Sequence, residues 1–278
     1  MEYSISYSII VVCLNAGKRL METIESIRSQ TYGKYEIIIK DGMSTDGSLD
    51  SLIQEADRGD SRIRIHSQAD KGIYDAMNQA VGYAKGDYLF FLNAGDSFYD
   101  KEVLYKITEV IEKDKPDIVY GNLYHKALHS VIQSAPSIND FTCYRNVPCH
   151  QTCFYRKELF AERGYNPVYN VRADYEHFLW CYYKRRATAL YAPIIVAAYE
   201  GGGYSETAGN KRRSAAQHRE ITRFYMGRAK AGKYRMLMIL SLAPLRTKMA
   251  ESEKFSGFYN RMKSGIYKVT GKGRCDAE

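Results

Sequence analysis

Two stretches of this chain end an apolar run in side chains rich in oxygen. Asp41-Gly42-Met43-Ser44-Thr45-Asp46 follows the run 36–40, and Asn93-Ala94-Gly95-Asp96 follows 88–92. In open α/β sheets, ligands bind at the carboxyl ends of strands. Two acidic strand ends therefore point to a nucleotide held partly through a divalent cation. A carboxylate at 41 can accept hydrogen bonds from a base N–H or from ribose hydroxyls. Asp46 reads instead as a cap or turn residue before a helix opening near Ser48. Asp96 supplies the hard oxygen that such a cation takes alongside substrate phosphates, with Asn93 orienting it or a water. Alone, that second segment reads as an ordinary turn.

Two further groups sit at helix starts. Asp70, Lys71 and Asp75 surround the opening of a helical stretch at 72–84, where Lys71 and the first amides can face a diphosphate. Asp70 as an N-cap is compatible with that. Asp174 and Glu176 open another helix: one can take a proton from a hydroxyl, and both equally complement the helix dipole. Trp180, the only tryptophan, is more simply a core residue than a platform for a sugar. Cys149, His150 and Cys153 have no second pair at zinc-site spacing, so the six cysteines read as reduced thiols.

These groups need a scaffold. Strand-like runs at 7–14, 36–40, 62–66, 87–92 and 117–120 alternate with helical periodicities at Leu20, Ile24 and Ile27, from Ser48, and at 72–84 and 103–111. That alternation predicts βαβ units and a mainly parallel sheet in an α/β fold. After Gly121 the pattern turns irregular as far as Val147. A strand-like run follows at 151–155, a helix at 174–184, and a short strand at 193–199 before Glu200. This half is expected to pack beside the first.

A hydrophobic content of 45% is enough for a real core and excludes disorder over most of the 278 residues. No apolar stretch approaches the ~20 residues of a membrane span, and the N-terminus carries no basic-then-apolar leader. A cytosolic protein is expected. The net charge of +8 is unevenly placed: residues 211–278 hold 17 lysines and arginines against 5 acids, which leaves 1–210 at −4. Within the basic part, the apolar run 236–245 suits either an interfacial segment flanked by cations or a helix packing on the core.

Six segments occur in a telling order. Ser8-Ile9-Ile10-Val11-Val12-Cys13-Leu14-Asn15, residues 36–48, Gly72-Ile73-Tyr74-Asp75-Ala76-Met77-Asn78, residues 86–96, His150-Gln151 and Ala173-Asp174-Tyr175-Glu176 together resemble glycosyltransferase family 2 over residues 6–205. The form of the third segment looks like the branch acting in bacterial exopolysaccharide, capsule and O-antigen assembly. The resemblance implies a GT-A fold, a nucleotide-diphosphate sugar donor and inversion at the anomeric carbon. By it, Asp41 would hold the nucleoside and Asn15, Asp70, Lys71, Asn78 and Asn93 would complete the donor site. Asp96 would bind Mg2+ or Mn2+, and Asp174 would be the base for the acceptor hydroxyl.

Three departures from the family pattern stand out, at four positions. Asn93 stands where a second carboxylate is common, Val12 and Leu14 replace a proline and a tyrosine, and Met77 replaces an arginine that contacts the diphosphate. The Q-x-x-R-W signature and membrane spans of processive synthases are absent, so a single sugar per acceptor is expected. The glycine triplet 201–203 falls where such enzymes often carry a mobile segment, and reads as either a lid or a plain loop. The expected organisation is a catalytic domain at 1–210 and a basic extension at 211–278. The extension would rest on anionic lipid at the inner membrane face, near a polyprenyl-diphosphate-linked saccharide acceptor. The rivals are a catalytically degenerate nucleotide-binding homologue, a dinucleotide oxidoreductase and a nucleic-acid binder. The oxidoreductase lacks a G-x-G-x-x-G after the first strand, and the acidic main part would repel nucleic acid.

Overall fold

The computed structural model describes residues 3–57, 61–201 and 207–240. Its sheet is built around β1 (Tyr7–Cys13), with β2 (Tyr35–Asp41) on one side and β4 (Tyr88–Phe91) on the other, both parallel to it. β3 (Ile63–Ser67) adds in parallel beyond β2. Alternate residues of β1 enter two cores. Ile9 and Val11 meet Leu20, Ile24 and Ile27 of α1 (Lys18–Arg28), with Val103, Leu104, Ile107 and Ile111 of α4 (Val103–Asp114). Ile10 and Val12 face the other way, toward Tyr74, Met77 and Ala80 of α3 (Ile73–Val81) and Phe178 and Leu179 of α7 (Ala173–Tyr183). A strand covered on both faces carries a continuous apolar run, which is why the first strands were legible in the sequence.

Beyond β4 the pairing changes direction. β8 (Cys153–Arg156) lies antiparallel to β4 and to β6 (Ile118–His125), and β9 (Ala189–Tyr199) then pairs in parallel with β6. The short β5 (Ser97–Phe98) pairs antiparallel with β9 at the edge, giving the order β3-β2-β1-β4-β8-β6-β9-β5. Close passage fixes one glycine here. A side chain on Gly86 would put its Cβ 2.5 Å from the Ser8 nitrogen, where Gly86 N–H instead reaches Ser8 Oγ at 2.8 Å.

The irregular stretch expected after Gly121 is structured. β6 continues to His125 and turns back into β7 (Ser130–Ile132), and Asn139 caps α5 (Asp140–Arg145) in a reciprocal box with Thr142. Gly121 and Asn122 disguise the strand, because the β6–β9 register shifts there. Opposite that shift lies Pro193, inside β9 and four residues after its start at Ala189; proline is tolerated in a sheet at such an irregularity. The expected strand at 151–155 divides into a single 3-10 turn, His150–Thr152, and β8.

Helix α8 (Ala208–Met226) spans the 210/211 boundary and buries Ile221 and Met226 in the second core. In α9 (Arg228–Leu240) only Ala231 is fully buried, while Met236, Leu237, Ile239 and Leu240 are exposed. Among the described residues no helix is long and apolar enough to cross a membrane. The rest of the 236–245 run and residues 202–206, with all but the first glycine of the 201–203 triplet, lie outside the described residues.

Candidate active site

Parallel pairing sets Cys13 of β1 opposite Asp41 of β2, so both strands open into one cleft. Asp41 is 1% exposed, and its carboxylate accepts the N–H groups of Met43 and Ser44 at 3.1 Å and the Ser44 hydroxyl at 2.5 Å. Asn15, in the left-handed region at φ 49°, donates its N–H to Ser44 Oγ at 2.8 Å and accepts Thr45 N–H at 2.9 Å. Asp46 is the turn residue expected: it accepts Ser48 N–H at 3.1 Å and Gly17 N–H at 2.9 Å. Asp41 and Asn15 thus shape one loop between two strand ends.

That loop has a brace the sequence did not reveal. Lys40 is fully buried, and its ammonium donates to the carbonyls of Asp41 (2.9 Å) and Gln68 (2.5 Å) and to Asp70 Oδ2 at 3.3 Å. A buried charge is tolerated only with such partners. Asp70 therefore ties β2 to the start of α3, where it also accepts Gly72 N–H at 3.0 Å. Lys71 is exposed, and its own N–H goes to Asp75 at 2.8 Å. The N–H groups of Lys71 and Gly72 are thus satisfied within the segment. Asn78 spends both ends of its amide on the Tyr165 backbone, at 2.8 and 2.7 Å.

Past β4 the chain turns through Asn93–Asp96, with Gly95 at φ +105°, a conformation that side chains resist. Thr23 of α1 pins the turn, accepting Gly95 N–H at 2.9 Å and donating to the Asp96 carbonyl at 2.7 Å. Asp96 is 5% exposed; its carboxylate accepts from Gln151 Nε2 at 2.7 Å and from Glu200 N–H at 3.2 Å. Burial pushes this carboxyl above the usual range despite those donors. Asn93 Oδ1 is buried with no hydrogen-bond partner. A carboxylate and an orphaned amide oxygen in one turn are the hard donors that Mg2+ or Mn2+ takes when substrate phosphates complete the shell, so these residues fit the ion. Among the described residues no cluster of three or more His, Cys, Asp or Glu side chains is arranged for a metal. The thiols beside the site are free and neutral, with burial pushing Cys149 up to about 12. Met77 lies buried in the core, and a cation beside this turn is Lys126, whose ammonium reaches the Gly95 carbonyl at 3.4 Å.

The acid pair of α7 divides cleanly. Glu176 is 3% exposed, bound to Arg163 at 2.5 Å and to the Tyr225 hydroxyl. Asp174 is only partly buried; Oδ2 meets His150 Nδ1 at 3.1 Å, and Oδ1 accepts the Tyr74 hydroxyl at 2.9 Å and Tyr175 N–H at 2.8 Å. Burial disfavours its charge, but the His150 contact and these two donors outweigh that and hold the carboxyl below the usual range. The other His150 nitrogen faces Asn93 Nδ2 at 3.5 Å. One 3-10 turn therefore joins Asp174, Asn93 and Asp96. Trp180 packs in the core beneath the Arg163 guanidinium, 4.9 Å from its ring.

Comparison with known proteins bears on the family and the fold. The model of Glycosyl transferase family 2 matches residues 8–171. A PGL/p-HBAD biosynthesis glycosyltransferase of Mycobacterium bovis (strain BCG / Pasteur) is 36% identical over 208 residues, 74% of this chain and 81% of that one. TarS 1-349 of S. aureus superposes with a TM-score of 0.63 at 19% identity, over 79% of this chain and 64% of that one, a little under two thirds of its length. TarS has also been solved in complex with UDP-GlcNAc. The mannosyltransferase PcManGT from Pyrobaculum calidifontis, in complex with GDP-Man and Mn2+, has a TM-score of 0.58 at 14% identity, over 99% and 89%. At such identities the structures establish the fold, which is of the GT-A type.

Proposed function

The chain belongs to glycosyltransferase family 2, and on that premise we propose that it moves one hexosyl unit from a nucleotide-diphosphate sugar to a hydroxyl of a lipid-linked saccharide, with inversion, in building a cell-surface polysaccharide. The observation that carries the catalytic part is the Asp174 carboxylate, partly open to the cleft and held ionised by His150, Tyr74 and Tyr175 N–H. Asp174 accepts the acceptor's hydroxyl proton as that oxygen attacks C1 of the sugar. The C1–O bond to the phosphate breaks with its electron pair, which departs on the nucleotide diphosphate. Attack from the face opposite the leaving group gives inversion.

Asp96 and Asn93 Oδ1 would hold Mg2+ or Mn2+, which when bound neutralises charge on the leaving diphosphate. Within the donor site, Asn15 and Asp41 present the 41–46 loop to the nucleoside, and Lys40 and Asp70 keep that loop in place. Lys71 and Lys126 supply cations for the diphosphate in place of the arginine replaced by Met77. Asn78 positions the 164–165 backbone. Donors named for related folds, UDP-GlcNAc and GDP-Man, support the nucleotide-sugar class without choosing a base. Residues 1–210 would carry the chemistry, and 211–278 would dock the enzyme at the inner face of the membrane, where a polyprenyl-diphosphate acceptor resides.

The test is a thermal-shift panel of UDP, GDP, CDP and dTDP with and without Mn2+, followed by transfer assays with Asp174→Asn. A metal-dependent shift with one nucleotide, and an Asp174→Asn protein that binds it but transfers at least about 100-fold more slowly, is the expected result. Full activity of that variant would remove Asp174 from its role. Binding without any turnover in the parent would favour a degenerate homologue.

A further inference from the structure

Helices α8 and α9 border a cavity of about 410 Å3, lined by Tyr144, Thr222 and Ala231 and ringed by Arg219, Arg223, Arg228 and Arg235. Two neighbouring charged groups have partners: Lys230 pairs with Asp140 at 2.6 Å, and Glu220 accepts the Tyr169 hydroxyl at 3.0 Å. None of the four arginines has an ion-pair partner among the described residues. Four guanidinium groups around one hollow repel each other unless an anion enters, and guanidinium geometry fits phosphate oxygens.

The flanks of the cavity are apolar. Met236, Leu237, Ile239 and Leu240, directly after Arg235, are 43–72% exposed, and Phe224, next to Arg223, is 68% exposed. A free phosphate would use the arginines and leave that apolar surface in water. A phospholipid uses both, its phosphate in the hollow and its acyl chains against the flanks. We propose that the α8–α9 hollow is a headgroup site for anionic phospholipid. The proposal rests on the membrane-docking reading of 211–278 and gives it an address. The exposed apolar flanks beside the arginines favour this occupant over a second copy of the chain, whose own hairpin is equally basic and would repel this one.

The full-length protein is sedimented with phosphatidylcholine vesicles and with vesicles containing phosphatidylglycerol, beside a triple variant, Arg223→Gln, Arg228→Gln and Arg235→Gln. These side chains are exposed, so the fold is kept, and unchanged donor-induced thermal shifts verify it. The parent should partition onto the phosphatidylglycerol vesicles alone. The triple variant should bind about 100-fold more weakly, since cations near such a surface contribute about 1 kcal/mol each. Ile239→Ser with Leu240→Ser should weaken binding again and flatten its dependence on the lipid chains.

Equal partitioning of parent and triple variant would overturn the site while leaving membrane docking to another segment. No partitioning of the parent would overturn both. A thermal shift with inorganic phosphate that the triple variant loses, without vesicle binding, would assign the hollow to free phosphate. A change of oligomeric state in the triple variant would assign it to a second copy.

Discussion

His150 Nδ1 lies 3.1 Å from Asp174 Oδ2, across 24 residues of chain. With Nδ1 donating, the imidazole fixes the carboxylate's orientation and favours its charge, while its other nitrogen reaches Asn93. The next residue, Gln151, donates to Asp96. The proton acceptor and the proposed cation ligand are therefore spaced by one turn of backbone, so a shift of that turn moves both.

The first expectation concerns pH. Asp174 is held below the ordinary carboxylate range, so the ionised form needed for catalysis survives into more acid solution than a free carboxyl would allow. The same sign applies to stability: this contribution is present above the unfolded-state pKa and is lost as pH falls through the folded one. In His150→Ala burial is no longer offset by the imidazole, and the acid limb of kcat should move to higher pH. Donor KM should stay put. Asp174→Asn should lose about 100- to 10,000-fold in kcat, the usual worth of a positioned base. A His150→Ala profile superimposable on the parent's would remove histidine from that role.

Asp96 carries the opposite sign. Burial raises its carboxyl in the folded state, so its stabilising contribution exists at low pH and is lost as pH rises through the folded value. At neutral pH the ionised side chain costs stability. Asp96→Asn should then melt no lower than the parent, and about 2 °C higher if ~1 kcal/mol is recovered. Cation-dependent transfer should vanish. A calorimetric scan beside a transfer assay separates the two effects, and a marked drop in Tm would contradict the burial argument.

Glu176 tests the division of the acid pair. Its partner Arg163 is about one-third exposed, so removing Glu176 leaves a cation that water partly solvates. Glu176→Ala should cost about 2 kcal/mol, below the 3–5 typical of fully buried pairs. Its kcat, measured on folded protein below the lowered Tm, should remain within about threefold of the parent. Loss comparable to Asp174→Asn would mean that Glu176 takes the proton.

Much of this was legible in the sequence, and the limits have a physical pattern. β1, β2 and β4 declared themselves because both of their faces are buried, Asp41 and Asp96 because they follow apolar runs, and Asp174 only as one of an acid pair opening a helix. The half after Gly121 hid its strands behind Gly121, Asn122 and Pro193, which sit where the β6–β9 register slips. Partnerships were the least legible. Tyr74 meets Asp174 across 100 residues and Lys40 meets Asp70 across 30, and no local periodicity records such contacts. Choosing Asp174 over Glu176 from the residues alone was impossible for the same reason, since Arg163 and Tyr225 capture Glu176 only in the folded chain.

The departure at Asn93 gives the last expectation. Its Oδ1 is buried and unpartnered in the turn that carries the Asp96 carboxylate, so a divalent cation held by these two would meet one charged and one neutral ligand. Ligand charge count tunes the affinity of hard cations. Asn93→Asp should lower the Mn2+ concentration for half-maximal transfer, by about tenfold if one added charge is worth ~1.4 kcal/mol. Asn93→Ala should raise it, and a chelator should silence the parent and both variants. The substitution has a second consequence, because a carboxylate at 93 faces the imidazole of His150. It competes with Asp174 for that imidazole, so the base is less firmly held. Tighter cation dependence with a lower kcat is therefore the signature sought, read from Mn2+ titrations at saturating donor. An unchanged half-activation concentration in Asn93→Asp would place the cation away from this turn.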